Sequence, residues 1–139
     1  MPTTIFVDGI FDLFHRGHLE TIKQIKNDAD VFLVVGVISD QDTIAYKKNA
    51  PIINEDDRFE IIQSLRCVDL ALKGTPLHMT TDFLEEHNID LVVHSFKDDE
   101  DWEKQKEFFD HLGDKFKRVS YYSSISTSQI ISQILHRRP

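Results

Sequence analysis

Two histidines separated by an arginine and a glycine, His15-Arg16-Gly17-His18, close a stretch that opens with an apolar run, Ile5-Phe6-Val7. Leu19, Ile22, Ile25 and Lys26 then fall three or four apart, the spacing of an amphipathic helix. The imidazoles therefore stand where a strand hands over to the first turn of a helix. Main-chain N–H groups are unpaired there and the helix dipole is positive, so the place suits an anion. Gly9 and Gly17 would let the main chain approach a ligand with no Cβ in the way. Imidazole N–H groups at such a site can donate to phosphate oxygens, which makes phosphate chemistry at His15 and His18 the first expectation.

The rest of the chain alternates strand and helix around this stretch. Ile5–Val7 reads as the first strand and His18–Asn27 as the first helix. Val31–Val37 is an uninterrupted apolar run, the pattern of a central parallel strand covered on both faces. Asp40–Tyr46 reads as a short helical turn and 47–51 as a loop. Asn54 caps a helix with Glu55, Asp56 and Asp57 in its first turn and Phe59, Ile62 and Leu65 on its buried face. Further strands are expected at Val68–Leu72, Ile89–Val93 and Arg118–Tyr122. Further helices are expected at Asp82–His87, near Trp102–Leu112 behind an acidic loop at Asp98–Glu103, and at Ser126–His136. Ser126 and Gln129 have capping-box spacing. Such alternation predicts an α/β fold, a doubly wound parallel sheet with right-handed crossovers, in a single domain over 1–139. Ligands of such sheets bind beyond the carboxyl ends of the strands, at the edge where His15, His18, Ser39, Asp40 and His94 would lie.

Composition narrows the partners. The 139 residues carry a net charge of -8, which argues against a nucleic-acid duplex, since phosphate neutralisation needs a basic face. A nucleotide can still be held by local cations, with His15, Arg16, His18, Lys47, Lys48, Arg66 and Arg118 as candidates. The single cysteine, Cys67, forms no intrachain disulfide. No apolar run approaches the ~20 residues of a membrane span, and the first residues lack a leader pattern. A cytoplasmic protein is expected. Neither a Cys/His cluster with zinc spacing nor an internal repeat is present.

The longer string from Asp8 to His18, Asp-Gly-Ile-Phe-Asp-Leu-Phe-His-Arg-Gly-His, resembles the HxGH motif of the nucleotidyltransferase superfamily. Within that superfamily it is most similar to the cytidylyltransferases that activate phosphocholine, phosphoethanolamine and glycerol 3-phosphate. The resemblance runs from Ile5 to about Leu135. It implies a Rossmann-like nucleotidyltransferase fold in which an acceptor phosphate attacks the α-phosphorus of CTP and pyrophosphate leaves. His15, His18 and Lys47 would be the catalytic groups, with Lys48 one residue away from the place of the family's lysine. Gly9, Ile10, Phe11, Asp12, Gly17 and Arg66 would serve the nucleotide. So would Ile125, Ser126, Thr127 and Ser128, which resemble the end of the family's Arg-Thr-x-Gly-Ile-Ser-Thr motif. Asp40, Lys48, Leu77 and His94 would serve the acceptor. Mg2+ would arrive with the triphosphate, near Asp12 or Asp40, and a homodimer is implied.

The chain departs from the family in several places. The motif's Arg falls on Tyr121, its Thr on Tyr122 and its Gly on Ser124, so the usual phosphate-binding guanidinium is missing. Cys67 replaces the Tyr of Arg-Tyr-Val-Asp. Leu77 stands where phosphocholine enzymes place an aromatic residue, which disfavours a trimethylammonium cage. The carboxylates Asp98–Asp101, or the rings of Phe96 and Trp102, could instead meet a cationic head group. Two rival readings are an adenylyltransferase of the same superfamily and a catalytically weak nucleotide-binding or scaffold protein.

Overall fold

The structure is a computed structural model that describes residues 2–27, 30–120 and 124–137. Five strands form one all-parallel sheet in the order β3-β2-β1-β4-β5. They are β1 (Thr3–Gly9), β2 (Val31–Val37), β3 (Leu70–Lys73), β4 (Leu91–Ser95) and β5 (Phe116–Val119). The helices are α1 (Arg16–Ile25), α2 (Asp40–Lys47), α3 (Glu55–Gln63), α4 (Thr81–Glu86), α5 (Asp99–Gln105) and α6 (Thr127–His136). The chain winds outward from β1 through β2 to β3, then returns to β4 on the other side of β1. The switch point therefore lies between the carboxyl ends of β1 and β4, where Val7 pairs with Val93.

Alternation along the strands sends side chains to two cores. Phe6, Val34 and Val92 join Met79, Leu84, Phe96 and Phe109 on one face. Val7, Leu33, Val35 and Val93 join Ile22, Ile25 and Ile62 from α1 and α3 on the other. Covered on both faces, β2 is apolar without interruption, as its sequence predicts.

Several boundaries differ from the sequence expectation. Helix α1 starts at Arg16 because His15 itself is the cap, and it ends at Ile25. Lys47 is the last residue of α2 rather than loop, and Lys48 ends the helix in the left-handed conformation, φ 68°. β3 and β4 begin two residues later than expected, because Asp69 and Asp90 are drawn into side-chain bonds with Leu33 and Thr4 N–H groups. The acidic run is not a loop. Asp98 caps α5, and Asp99, Glu100 and Asp101 fill its first turn, where they complement the dipole. The expected helix to Leu112 breaks into 3-10 turns at Lys106–Phe108 and Asp110–Lys115, the second interrupted by Gly113 at φ 62°. β5 begins at Phe116, which stacks on Phe109. Of the strand expected at Arg118–Tyr122, Tyr121 and Tyr122 lie outside the described residues.

Candidate active site

A cleft of about 1020 Å³ opens at the switch point. Its floor is the loop from β1 to α1, which carries two non-glycine residues in the left-handed region, Phe11 at φ 57° and Leu13 at φ 51°. Each such residue costs about 1 kcal/mol or more, so the loop must be held from outside. Asp12 and Arg58 hold it. The Asp12 carboxylate accepts the main-chain N–H groups of Ile52 at 2.8 Å and Ile53 at 2.9 Å. Arg58, fully buried in α3, donates to the carbonyls of Ile10, Ile38 and Ile53 and to Asp40 Oδ1. Asp40 Oδ2 accepts from Glu55 N–H at 3.2 Å. Asp40 therefore anchors α3 to α2 instead of lining the cleft, contrary to the expectation of an acceptor ligand. The Asp40 carboxylate is thus taken up by Arg58 and Glu55, while Asp12, which lines the cleft, keeps a second lone pair on each oxygen. No cluster of three or more His, Cys, Asp or Glu side chains that could hold a metal ion occurs among the described residues.

His15 and His18 stack face to face, centroids 3.9 Å apart. Phe14 stacks beneath His18, and Phe11 meets it edge-on. The pair forms a capping box in imidazole. His15 Nδ1 accepts from Gly17 N–H at 2.9 Å, and His18 Nδ1 accepts from His15 N–H at 3.2 Å. A neutral imidazole that accepts at Nδ1 must carry its hydrogen on Nε2. Both rings are thereby fixed as Nε2–H donors. Burial holds His15 below the usual histidine range. Burial first, then the neighbouring His15, pushes His18 down to about 4, against an opposing pull from Asp12. At neutral pH the site holds two uncharged donors. The helix N-terminus is thus partly satisfied by the protein's own rings, which leaves Nε2–H as the donor each ring could offer a ligand.

The glycines clear space for those rings rather than for a ligand. A Cβ on Gly9 would come within 2.7 Å of the Phe11 ring, and one on Gly17 within 2.7 Å of His15 Cε1 and 3.0 Å of the Ile125 carbonyl.

Across the floor stand Lys47 and the start of α6. Lys47 lines the cleft, whereas Lys48 folds back to the Ala45 carbonyl at 3.2 Å and does not. Ile125, Ser126, Thr127 and Ser128 line the cleft with Gly9, Ile10, Phe11, Asp12 and Gly17. The hydroxyls of the motif work mostly inward. Ser126 forms its capping box with Gln129, and Thr127 Oγ1 donates to the Asp12 carbonyl at 3.0 Å. The N–H groups of Thr127 and Ser128, in the first turn of α6, have no acceptor among the described residues.

At the far end, Asp8 and His94 close the carboxyl ends of β1 and β4. His94 Nδ1 lies 2.9 Å from Asp8 Oδ1, and the Asp8 side chain is 2% exposed. Leu77 and residues of α5 complete this end. Phe96 and Trp102 do not offer free faces, because the Arg118 guanidinium lies over both, at 5.4 Å and 5.2 Å. Arg66 is exposed and outside the cleft. Asp69, the last residue of the same Arg-Cys-Val-Asp stretch, binds Lys26.

The sequence reading missed Asp8, Arg58 and Tyr46. Asp8 is a lone carboxylate in an apolar strand. Arg58 falls four residues before Ile62 on the inward face of α3. Either signal was there to be read, whereas nothing in sequence brings Tyr46 to the cleft.

A family profile described as cytidylyltransferase-like matches residues 6–133. Choline-phosphate cytidylyltransferase A of Mus musculus is 37% identical over 96% of this chain and 37% of its own length. Ethanolamine-phosphate cytidylyltransferase of Dictyostelium discoideum is 30% identical over 96% of this chain and 37% of its own length. Choline-phosphate cytidylyltransferase of Saccharomyces cerevisiae is 36% identical over 96% of this chain and 32% of its own length. The chain thus spans about a third of the length of these relatives. Among solved structures, the lipopolysaccharide core biosynthesis protein from Thermoplasma volcanium GSS1 superposes with a TM-score of 0.64 at 25% identity, over 86% of this chain and 96% of that one.

Proposed function

From the premise that this chain belongs to the cytidylyltransferase-like family, we propose that it transfers CMP from CTP to a small alcohol phosphate and releases pyrophosphate, with residues 1–139 as the catalytic unit. An oxygen of the acceptor phosphate bonds to the α-phosphorus of CTP as the bond to the β-bridging oxygen breaks. The bridging oxygen leaves with pyrophosphate. No proton has to move for this exchange, so the task is to place two anions and stabilise the crowded α-phosphoryl.

The stacked, tautomer-locked pair His15 and His18 carries the reading. Two neutral Nε2–H donors suit the α-phosphate oxygens, whose charge grows in the transition state. Lys47 supplies the cation between the reactants. The unpaired N–H groups of Thr127 and Ser128 suit the β- and γ-phosphates. Gly9, Ile10, Phe11, Asp12, Gly17, Ile125 and Ser126 shape the nucleotide side. Mg2+ enters as part of the CTP substrate.

For the acceptor we favour an aminoalcohol phosphate. Asp8, Glu100 and Asp101 give that end of the cleft carboxylate character, with His94 paired to Asp8. Leu77 removes an aromatic face, which places phosphoethanolamine ahead of phosphocholine, and glycerol 3-phosphate third. We also propose a homodimer, on the family likeness alone, to be checked by light scattering. Among the described residues no helix is long and apolar enough to cross a membrane.

The test is pyrophosphate release with CTP and each of the three phosphates, beside a thermal-shift panel of CTP, ATP, GTP and UTP. CMP transfer with stabilisation by CTP above the other nucleotides is expected. Preference for ATP would move the chain to adenylyl transfer. Nucleotide binding without transfer to any acceptor would make it a scaffold.

A further inference from the structure

Two six-membered aromatic carbocycles, Phe11 and Tyr46, line the cleft among the described residues. Phe11 is 8% exposed and turned against His18. Tyr46, half-buried near the end of α2, is different. The Phe108 ring meets it at a T-shaped angle of 71° with centroids 5.6 Å apart, which fixes the ring from one side. Its hydroxyl makes no hydrogen bond among the described residues. The nearby rings of Phe96, Trp102, Phe109 and Phe116 pack on one another, and Arg118 covers two of them.

Tyr46 directly precedes Lys47, so the two side chains leave α2 about 100° apart and reach neighbouring parts of the cleft. Asp101 of α5 is also on the cleft wall, and its charge adds to the larger effect of burial in raising the Tyr46 pKa and keeping the phenol neutral. The Asp101 carboxylate is itself held. Oδ2 accepts from Lys97 N–H at 3.0 Å and Oδ1 from Gln105 Nε2 at 2.7 Å. Each oxygen keeps a second lone pair for a ligand.

We propose that Tyr46 and Asp101 together form the seat for the acceptor's ammonium group, the Tyr46 ring meeting the cation and Asp101 taking an N–H. This rests on the cytidylyltransferase reading and names the residues that choose the acceptor within it. An aminoalcohol phosphate is two carbons long between its charges. With its phosphate at Lys47, its ammonium would reach toward the part of the cleft wall that Tyr46 supplies. One ring face and one carboxylate satisfy a primary ammonium, which has three N–H donors. A trimethylammonium has none and needs several ring faces, and among the described residues only Tyr46 offers the cleft a carbocyclic ring not already turned against His18. The seat therefore selects the primary amine.

The experiment compares wild type with Tyr46→Leu, Tyr46→Phe and Asp101→Asn in the complete chain. It reads KM for phosphoethanolamine, phosphocholine and glycerol 3-phosphate, with KM for CTP as internal control. Tyr46→Leu should raise KM for phosphoethanolamine about tenfold, the size of one desolvated cation–π contact. Tyr46→Phe should change it less, because the ring stays. Asp101→Asn should narrow the preference for phosphoethanolamine over phosphocholine. KM for CTP should stay within twofold in all three. An unchanged acceptor KM in an active Tyr46→Leu protein overturns the seat alone, and so does a CTP KM that rises in step. A wild-type chain that transfers CMP to none of the three phosphates removes the activity and the seat together.

Discussion

Acid should weaken this fold above all through His18. His18 titrates at about 4 in the folded chain, against 6.5 when exposed. Between those values the unfolded chain binds a proton that the folded chain refuses, so stability rises with pH there and is lost as pH falls. Stability that depends on a neutral His18 is complete above about 6.5. Linkage sets the loss at about 2 kcal/mol by pH 5 and about 3 kcal/mol by pH 4. His18→Asn keeps a side-chain oxygen to accept from His15 N–H but has nothing to titrate. Urea unfolding of both proteins at pH 8 and pH 5 isolates the effect, since other titrating groups are common to both. Wild type should lose about 2 kcal/mol more than His18→Asn between the two pH values. Equal losses would refute the claim that His18 is held neutral by its burial against Phe14 and His15.

His15→Ala and His18→Ala should each lower kcat by two or more orders of magnitude with a smaller change in KM, because they act where charge grows; steady-state kinetics decides it, and kcat within threefold of wild type would end the role. Lys47→Ala should abolish most turnover while Lys48→Ala stays within a few-fold of wild type, since only Lys47 lines the cleft; matching mild losses would mean a solvated pair. Gly17→Ala should cost about 100-fold in kcat, the order expected when reacting groups move by about an ångström, because its Cβ displaces the His15 ring; the wild-type rate would show that the ring position does not matter. Arg58→Met should destabilise the chain by about 3–5 kcal/mol, leaving Asp40 and three carbonyls short of a donor; a midpoint shift worth under 1 kcal/mol would contradict the bonding seen.

Much of this was legible in sequence because it is local. The hydrophobic runs of β1 and β2 and the cap residues Asn54 and Ser126 each depend on neighbours within a few positions, and each stands where expected. His15 and His18 fall at a strand-to-helix turn for the same reason. What was misread depends on pairing across the chain. Arg66 was expected at the site because Arg66-Cys67-Val68-Asp69 resembles a family motif, but Arg66 stands outside the cleft and Asp69 is claimed by Lys26, 43 residues away. Asp40 looked free until Arg58 arrived from 18 residues beyond. The acidic run at 98–101 was read by its charge, while its position at a helix start decides its work. Leu77 and His94 line the cleft, beside α5 residues that no local pattern brings there.

Three of the four groups that receive Arg58 are main-chain carbonyls, those of Ile10, Ile38 and Ile53. A carbonyl is present whatever side chain a residue carries. The arrangement is therefore lopsided under mutation. In a saturation library selected for turnover, position 58 should accept almost nothing, while positions 10, 38 and 53 should keep the bond through any change that leaves their backbone course intact. Constraint that in most ion-pair networks is shared among partners is here concentrated in one codon. The loops around the cleft are left free to drift in sequence without losing their hold on one another.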